Sequence, residues 1–405
     1  MTLLATGRNP ESPIRGVAPA EKSVSVLIPF NASGFLYGME RAVIELFDSM
    51  RPRIAPHFLM SHWTFRERLP ILAEVQRRGL SYSFFSDTSP WLFGRPRSLS
   101  YTWKQLLALM KGNRDVLKQA VRCDALYLPG TRYAVLSVLA CVYCRLTGRR
   151  VIYQFHNLVP YRSRALWLLR FLVRDFIHMT ETGYRLTSEA NPCLLKSNNH
   201  VIPLVIHLPD TGGSDDLPET LSRGRRTILF VGQVSWHKGI DVLLQAMALM
   251  DGHPDVVLLI IGGCTPEFKP SFDALLADER IAGRVVYVGY RQDPFRFMTH
   301  AYVQVLPTPP SRYLEGAPRT ILEAMACGLP TICFRSGGAV DLVVHRETGL
   351  ICDREDAECL AENLRLFLDD RQFRDCCSAN ATARFRTVYS PQGVAAGWER
   401  LLAGH

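Results

Sequence analysis

Short apolar runs rich in β-branched residues alternate with helix-patterned segments along most of the chain, and the pattern restarts midway. Runs at 24–30, 58–63, 125–129 and 151–155 read as strands, and 40–50, just after Gly38, reads as an amphipathic helix. A polar stretch beginning Asp210-Thr-Gly-Gly-Ser-Asp-Asp-Leu-Pro has linker chemistry. Beyond it, strand-like runs at 227–231, 256–261, 285–288, 301–306 and 331–334 are interleaved with helical patterns at 239–250 and 318–327. Short strands that are apolar on nearly every residue need both faces covered, which is the signature of parallel βαβ units. A chain of 405 residues has room for two such domains. The fold class expected is therefore α/β, with two Rossmann-like doubly wound domains facing each other across a cleft. The boundaries read as a leader at 1–22, a first domain at 23–208, a linker at 209–226 and a second domain at 227–389. Residues 390–405, with Trp398, are expected as a helix crossing back to the first domain. Ligands in such sheets sit outside the carboxyl ends of the strands, so chemistry is expected in the cleft.

Composition removes several alternatives. Hydrophobic residues make up 47% and charged residues 21%, which excludes a mainly disordered, collagen-like or coiled-coil chain. Eleven cysteines, including adjacent Cys376 and Cys377, show no disulfide framework and suit a reducing compartment. Cys141 and Cys144 have zinc or redox spacing but no second pair, and they lie in an apolar helical run, so a buried structural pair is expected. No stretch approaches the roughly 18–20 apolar residues of a spanning helix, and the N-terminus lacks signal-peptide character. A cytoplasmic protein is expected. Its charge is uneven: residues 1–210 carry 27 Lys/Arg and 14 Asp/Glu, against 20 and 24 in the remainder. Segment 161–179, YRSRALWLLRFLVRDFIHM, interleaves four arginines with Trp, Leu, Phe and Val. It reads either as an interfacial amphipathic helix, peripheral on the anionic inner face of the plasma membrane, or as a packed helix with its arginines in water. No base-reading motif accompanies the charge, so nucleic acid is not an expected partner.

The most specific segment is Tyr313-Leu-Glu-Gly-Ala-Pro-Arg-Thr-Ile-Leu-Glu-Ala-Met-Ala-Cys-Gly-Leu-Pro330. Pro318 suits the first helical position, which leaves Glu315 in the preceding loop and Glu323 inside the helix. Free amides at that helix start favour an anion such as phosphate, and flanking carboxylates can accept hydrogen bonds from sugar hydroxyls. Taken alone, the two glutamates read equally well as a loop charge and a solvated helix residue. A second segment, Phe230-Val-Gly-Gln-Val-Ser-Trp-His-Lys-Gly-Ile-Asp, puts Gly232 after a strand and Lys238 at a helix start, where a lysine can neutralise a diphosphate leaving group. No Asp-x-Asp triplet occurs, so no essential metal is expected, and no cofactor is implied. Gly262-Gly263 lacks the G-x-G-x-x-G pattern of a dinucleotide site.

These segments, with Gly337-Gly-Ala-Val-Asp-Leu-Val-Val-His-Arg-Glu-Thr-Gly-Leu350, run in the order seen in one family. Over about 120 residues the second half resembles the donor domain of family 4 retaining glycosyltransferases, also called glycosyl transferases group 1, which have the GT-B fold. More faintly, Gly38-Met-Glu-Arg41 is similar to the family's Gly-Gly-x-Glu-Arg turn, with Tyr37 replacing the first Gly, and His156 follows a strand where the family has a histidine near the donor sugar. The resemblance implies a metal-independent hexosyltransferase that moves a sugar, with retention, from a nucleotide-sugar to a hydroxyl of a glycan or polyprenyl-linked acceptor in cell-surface polysaccharide biosynthesis. It implies catalytic roles for Glu315, His156 and Lys238. Donor contacts would come from Gly34, Gly38, Gly232, Gln233, Lys238, Glu315, Gly316, Ala317 and Glu323, with Glu315 on the sugar and Glu323 on the ribose. Gln233 departs from the arginine that many members place on the diphosphate, and Arg319 is the candidate to compensate for it. A nucleotide-sugar epimerase of the same fold, or a non-catalytic nucleotide-sugar-binding subunit, are the competing readings.

Overall fold

The apolar runs become the strands of two parallel sheets in a computed structural model of the chain, which describes residues 23–30, 38–61, 70–85, 99–207, 225–250, 252–291 and 293–403. The leader at 1–22, Gly34 and most of the linker lie outside the described residues. The first sheet contains β1 (Val24–Phe30), β2 (Ile54–Ser61), β3 (Ser81–Phe85), β4 (Ala125–Leu128), β5 (Arg150–Gln154), β6 (Asp175–His178) and β7 (Asn198–Val201). Its order is β3-β2-β1-β4-β5-β6-β7, with every pair parallel. Side chains alternate across it with the two-residue period of a strand. Val26, Ile28 and Phe30 enter one core with α1 (Gly38–Ser49) and α2 (Pro70–Arg77). Leu27 points into the opposite core, which is covered by α3 (Leu99–Ala120), α4 (Thr131–Leu136), α5 (Val138–Leu146) and α6 (Arg164–Leu169). A further helix, α7 (Glu181–Ala190), joins β6 to β7.

The second sheet contains β8 (Arg226–Val231), β9 (Val256–Ile261), β10 (Val285–Gly289), β11 (Val303–Leu306), β12 (Thr331–Phe334) and β13 (Gly349–Cys352) in the order β10-β9-β8-β11-β12-β13. Its strands are again all parallel. The helices that follow them in the chain are α8 (Ile240–Ala248), α9 (Lys269–Leu276), α10 (Phe295–Met298), α11 (Arg319–Ala326), α12 (Ala339–Leu342), α13 (Ala357–Asp369) and α14 (Arg371–Val388). Connections leave β1 and β4, and likewise β8 and β11, in opposite directions across the sheet. Each pair is a topological switch point, with a crevice at its carboxyl end.

Three sequence expectations change. Segment 161–179 is not one helix: α6 ends at Leu169 and the chain has entered β6 by Asp175, because Val173, Phe176 and Ile177 are needed in the sheet core. The strand read at 58–63 begins earlier, at Ile54. Pro318 caps α11 rather than opening it, with φ −65° and an extended ψ of 106°.

The last helix, α15 (Pro391–Ala403), leaves the second domain and packs into the first. Trp398 is fully buried there, its ring 5.9 Å from that of Tyr127, with Val394, Leu401 and Leu402 around it in the α1–α2 core. Replacing a buried tryptophan by alanine costs about 3–5 kcal/mol. Trp398→Ala is expected to lower stability by that amount in urea unfolding, and an unchanged midpoint would mean that α15 is not part of the first core.

Candidate functional site

Glycine places the first functional side chain. After β8 a short turn, Trp236–Lys238, ends at Gly239, whose φ is +72°. A Cβ at Gly239 would lie 1.8 Å from the carbonyl oxygen of Pro307, which follows β11. Only glycine fits both the left-handed backbone and the gap. The two switch-point loops are therefore in backbone contact, and Lys238 meets the loop that carries Glu315. Lys238 Nζ lies 2.7 Å from Glu315 Oε1 and 4.6 Å from the centre of the Tyr313 ring. Thr308 donates to the same carboxylate oxygen at 2.7 Å. Burial, with the Glu315 charge nearby, pushes the Tyr313 hydroxyl above its usual range.

A third loop fixes the Glu315 backbone. Gly338 N–H donates to Glu315 O at 2.8 Å, and a Cβ on Gly337, at φ +51°, would come within 2.1 Å of that oxygen. Glu315 N–H in turn donates to Ser336 Oγ at 3.4 Å. Glu315 and Gly316 are buried, Ala317 is half-buried, and no side chain caps the α11 N-terminus. Gly232 is half-buried, and Gln233 beside it is exposed.

The first domain closes on this loop. The carbonyl oxygen of His156 would lie 3.0 Å from a Cβ on Gly316, and Thr180 Oγ1 donates to Gly316 O at 3.3 Å. Burial pushes the His156 imidazole down to about 4, so at neutral pH it is an uncharged hydrogen-bonding group, 3.3 Å from Tyr127 Oη. Thr182, in the first turn of α7, donates from its N–H and its hydroxyl to Asp341 at 2.7 and 2.8 Å. Gly38 opens α1.

Glu323 is buried below the rim, and its Oε1 accepts from Arg319 Nε at 2.6 Å. Burial pushes the Glu323 carboxyl above the usual carboxylate range, with Arg319 pulling against it. Arg319 is also held from the first domain, where its Nη2 donates to both oxygens of Glu45 at 3.0 and 2.8 Å. Glu45 accepts further from Arg41 Nε at 2.9 Å and from the His207 N–H at 3.3 Å. Arg319 is thus committed to two carboxylates rather than free to replace an arginine at 233, and only its Nη1 is buried without a partner. Sequence reasoning missed Glu45, Thr308, Thr180 and Asp341. Of these only Glu45 left a signal, its four-residue spacing from Arg41, which matches that of Arg319 and Glu323.

Residues 216–384 match the family model described as glycosyl transferases group 1. The matched residues span the six strands of the second domain. Among curated relatives of this group 1 domain, the capsular polysaccharide biosynthesis glycosyltransferase CapM of Staphylococcus aureus is 30% identical over 42% of this chain and 43% of its own. The N,N'-diacetylbacillosaminyl-diphospho-undecaprenol alpha-1,3-N-acetylgalactosaminyltransferase of Campylobacter jejuni is 29% identical over 38% of each chain. The aligned region thus spans about two fifths of the length of these relatives. The fold match is wider. The crystal structure of Anabaena Alr3699/HepE in complex with UDP superposes with a TM-score of 0.74 at 17% identity, over 94% of this chain and all of that one. The two-domain architecture around the group 1 domain is the GT-B fold.

The interdomain ion pair is testable. Removing one partner of a buried pair costs up to about 3–5 kcal/mol, tempered here because Arg319 keeps Glu323, whereas a partly exposed i,i+4 pair contributes under about 1 kcal/mol. Glu45→Ala should therefore destabilise the protein by several kcal/mol in chemical unfolding, and Arg41→Ala by well under that. Equal losses would deny Glu45–Arg319 its role.

Protons report on the same region. His178, buried and stacked at 4.6 Å on Phe155, is pushed down to about 4 by burial. The unfolded chain takes up that proton near 6.5 and the folded chain only near 4, so stability is intact above pH 6.5 and falls as pH drops towards 4. Thermal midpoints measured across that window should fall, and His178→Asn should flatten the fall.

Proposed function

We propose that the protein is a retaining glycosyltransferase of family 4, which moves a sugar from a nucleotide-sugar to a hydroxyl of a glycan or lipid-linked acceptor in cell-surface polysaccharide synthesis. The observation that carries this reading is the meeting of Lys238 and Glu315 at the β8/β11 switch point, 2.7 Å apart beside the uncapped start of α11, within the group 1 domain. Breaking the bond between sugar and diphosphate leaves a growing negative charge on the phosphate and a positive one on the sugar. Lys238 and the free amides of α11 stabilise the first by charge and dipole, without reorganising. Glu315, held at Oε1 by Lys238 and Thr308, offers its other oxygen to sugar hydroxyls, and Gly316 and Ala317 leave room for the phosphates. Gly38, Gly232 and Gln233 line the donor, and Glu323 takes the ribose. His156, uncharged, hydrogen-bonds the sugar from the first domain. The acceptor hydroxyl attacks from the face that the diphosphate leaves, and the reaction needs no metal.

In the empty site the lysine's charge is already balanced by Glu315, so donor binding exchanges one anion for another. The acceptor class draws on relatives whose names include capsule and undecaprenol-linked biosynthesis, and a cytoplasmic enzyme working at the membrane follows from it. Among the described residues no helix is long and apolar enough to cross a membrane.

The test begins with thermal unfolding against UDP, GDP, ADP and their sugars. A ligand at 100 times its Kd adds about 2.7 kcal/mol, so the bound nucleotide series identifies itself. With that donor, Lys238→Ala is expected to lower transfer by roughly one to three orders of magnitude. Glu323→Ala should weaken donor binding. Full turnover by the Lys238 variant removes that residue from the mechanism, and an unchanged Glu323 variant removes the ribose contact.

A further inference from the structure

Exposed apolar side chains are concentrated on one half of the molecule. Among the described residues, 16 of the 19 large hydrophobic side chains that are exposed lie before residue 208. Most sit on the outer side of the helical layer formed by α3, α5 and α6, which share one core beneath them. Asn113 ties α3 to the next helices, donating to Val135 O at 3.1 Å and accepting from the Leu139 N–H at 3.2 Å. Across this layer Trp103, Met110, Leu139, Leu146, Trp167 and Phe171 each expose about half of their surface or more. Trp167 and Phe171 pack edge to face at 5.7 Å, with the Arg170 guanidinium 4.4 Å from the centre of the Phe171 ring.

The charge on the same stretch is lopsided. Residues 99–174 hold 13 Lys/Arg and 2 Asp/Glu, whereas the whole chain has a formal charge of only +9. Arg145, Arg162, Arg164 and Arg174 are all exposed around the apolar side chains. Aromatic and long aliphatic groups ringed by arginine match a bilayer interface, where the rings sit at headgroup depth and the guanidinium groups meet lipid phosphate. A second copy of the chain is a poor occupant. A two-fold interface sets the same surface against itself, and here that opposes two strongly positive faces. The face also reaches the cleft: exposed Tyr161 and Arg162 follow within six residues of His156, which packs against Gly316.

We propose that the outer face of α3, α5 and α6 docks on an anionic lipid bilayer, with Trp167 and Phe171 inserted between headgroups, so that the acceptor side of the cleft opens at the membrane surface. This deepens the membrane-side reading given above, but its test needs no nucleotide, so the docking and the donor assignment can fail separately.

The full chain is sedimented with vesicles of phosphatidylcholine alone and of phosphatidylcholine mixed with phosphatidylglycerol. Binding is expected to the mixed vesicles, to weaken with added salt as the charges are screened, and to be poor to neutral ones. Trp167→Ser/Phe171→Ser should lower partitioning at least tenfold with an unchanged thermal midpoint, since both side chains are exposed. Arg162→Glu/Arg164→Glu should act in the same direction, and Tyr290→Ser on the second domain should not. No binding of the native chain to anionic vesicles, or equal binding by the aromatic double variant, overturns the proposal. Equal binding to both vesicle types removes the anionic lipid from it. If light scattering instead finds a dimer that the aromatic variant dissolves, the face is an interface between copies and the bilayer assignment falls.

Discussion

The buried pair of Glu45 and Arg319 sets how the two domains meet. Glu45 lies within α1 and Arg319 at the start of α11, 274 residues apart in sequence, and neither is open to solvent. Charges removed from water are tolerated when most of their hydrogen-bonding capacity is filled. Glu45 has four bonds from three partners, which fixes the rotation of α1 against α11 more sharply than apolar contact alone. Around it Ala42, Leu204 and Ile206 of the first domain share a core with Ile321, Leu322 and Met325 of the second. Each half also carries its own counterion one helical turn away, Arg41 for Glu45 and Glu323 for Arg319. If the domains separate, neither side is left with an uncompensated charge.

With the domains in register, the site is built largely from backbone. Gly239 admits Pro307, Gly337 admits the Glu315 carbonyl, and Gly316 admits His156. Four loops from two domains therefore approach more closely than side chains would allow. The functional groups then project from backbone that has little room to move, and this is the kind of support that polar transition-state stabilisation needs.

Much of this was legible in the sequence, for physical reasons. β9 is buried on both faces and appears as an unbroken apolar run, and β1 and β12 come close, each with one hydroxyl residue. The edge strands β3 and β7 read Ser-Tyr-Ser-Phe-Phe and Asn-Asn-His-Val, with polar residues facing water, and carried no such signal. In 161–179 the apolar residues serve a short helix and then a strand, and one period could not describe both. Lys238 and Glu315 could be singled out because each lies at a strand-to-helix turn, where anions are bound. Their 2.7 Å contact could not be seen, since it depends on Gly239 passing the Pro307 carbonyl. The Glu45–Arg319 pair was invisible because only its two local halves are written in the sequence.

The return of α15 to the first domain bears on the order in which the protein is made. Domains usually fold in the order they leave the ribosome, the N-terminal one first. Here Tyr127 packs on Phe47 within its own domain but lacks its Trp398 contact until that residue has been synthesised, more than 250 residues later. The first domain to be translated is therefore the last to be completed. The second domain draws its main core entirely from residues between Ile228 and Cys377, so it can assemble while the first still exposes apolar surface.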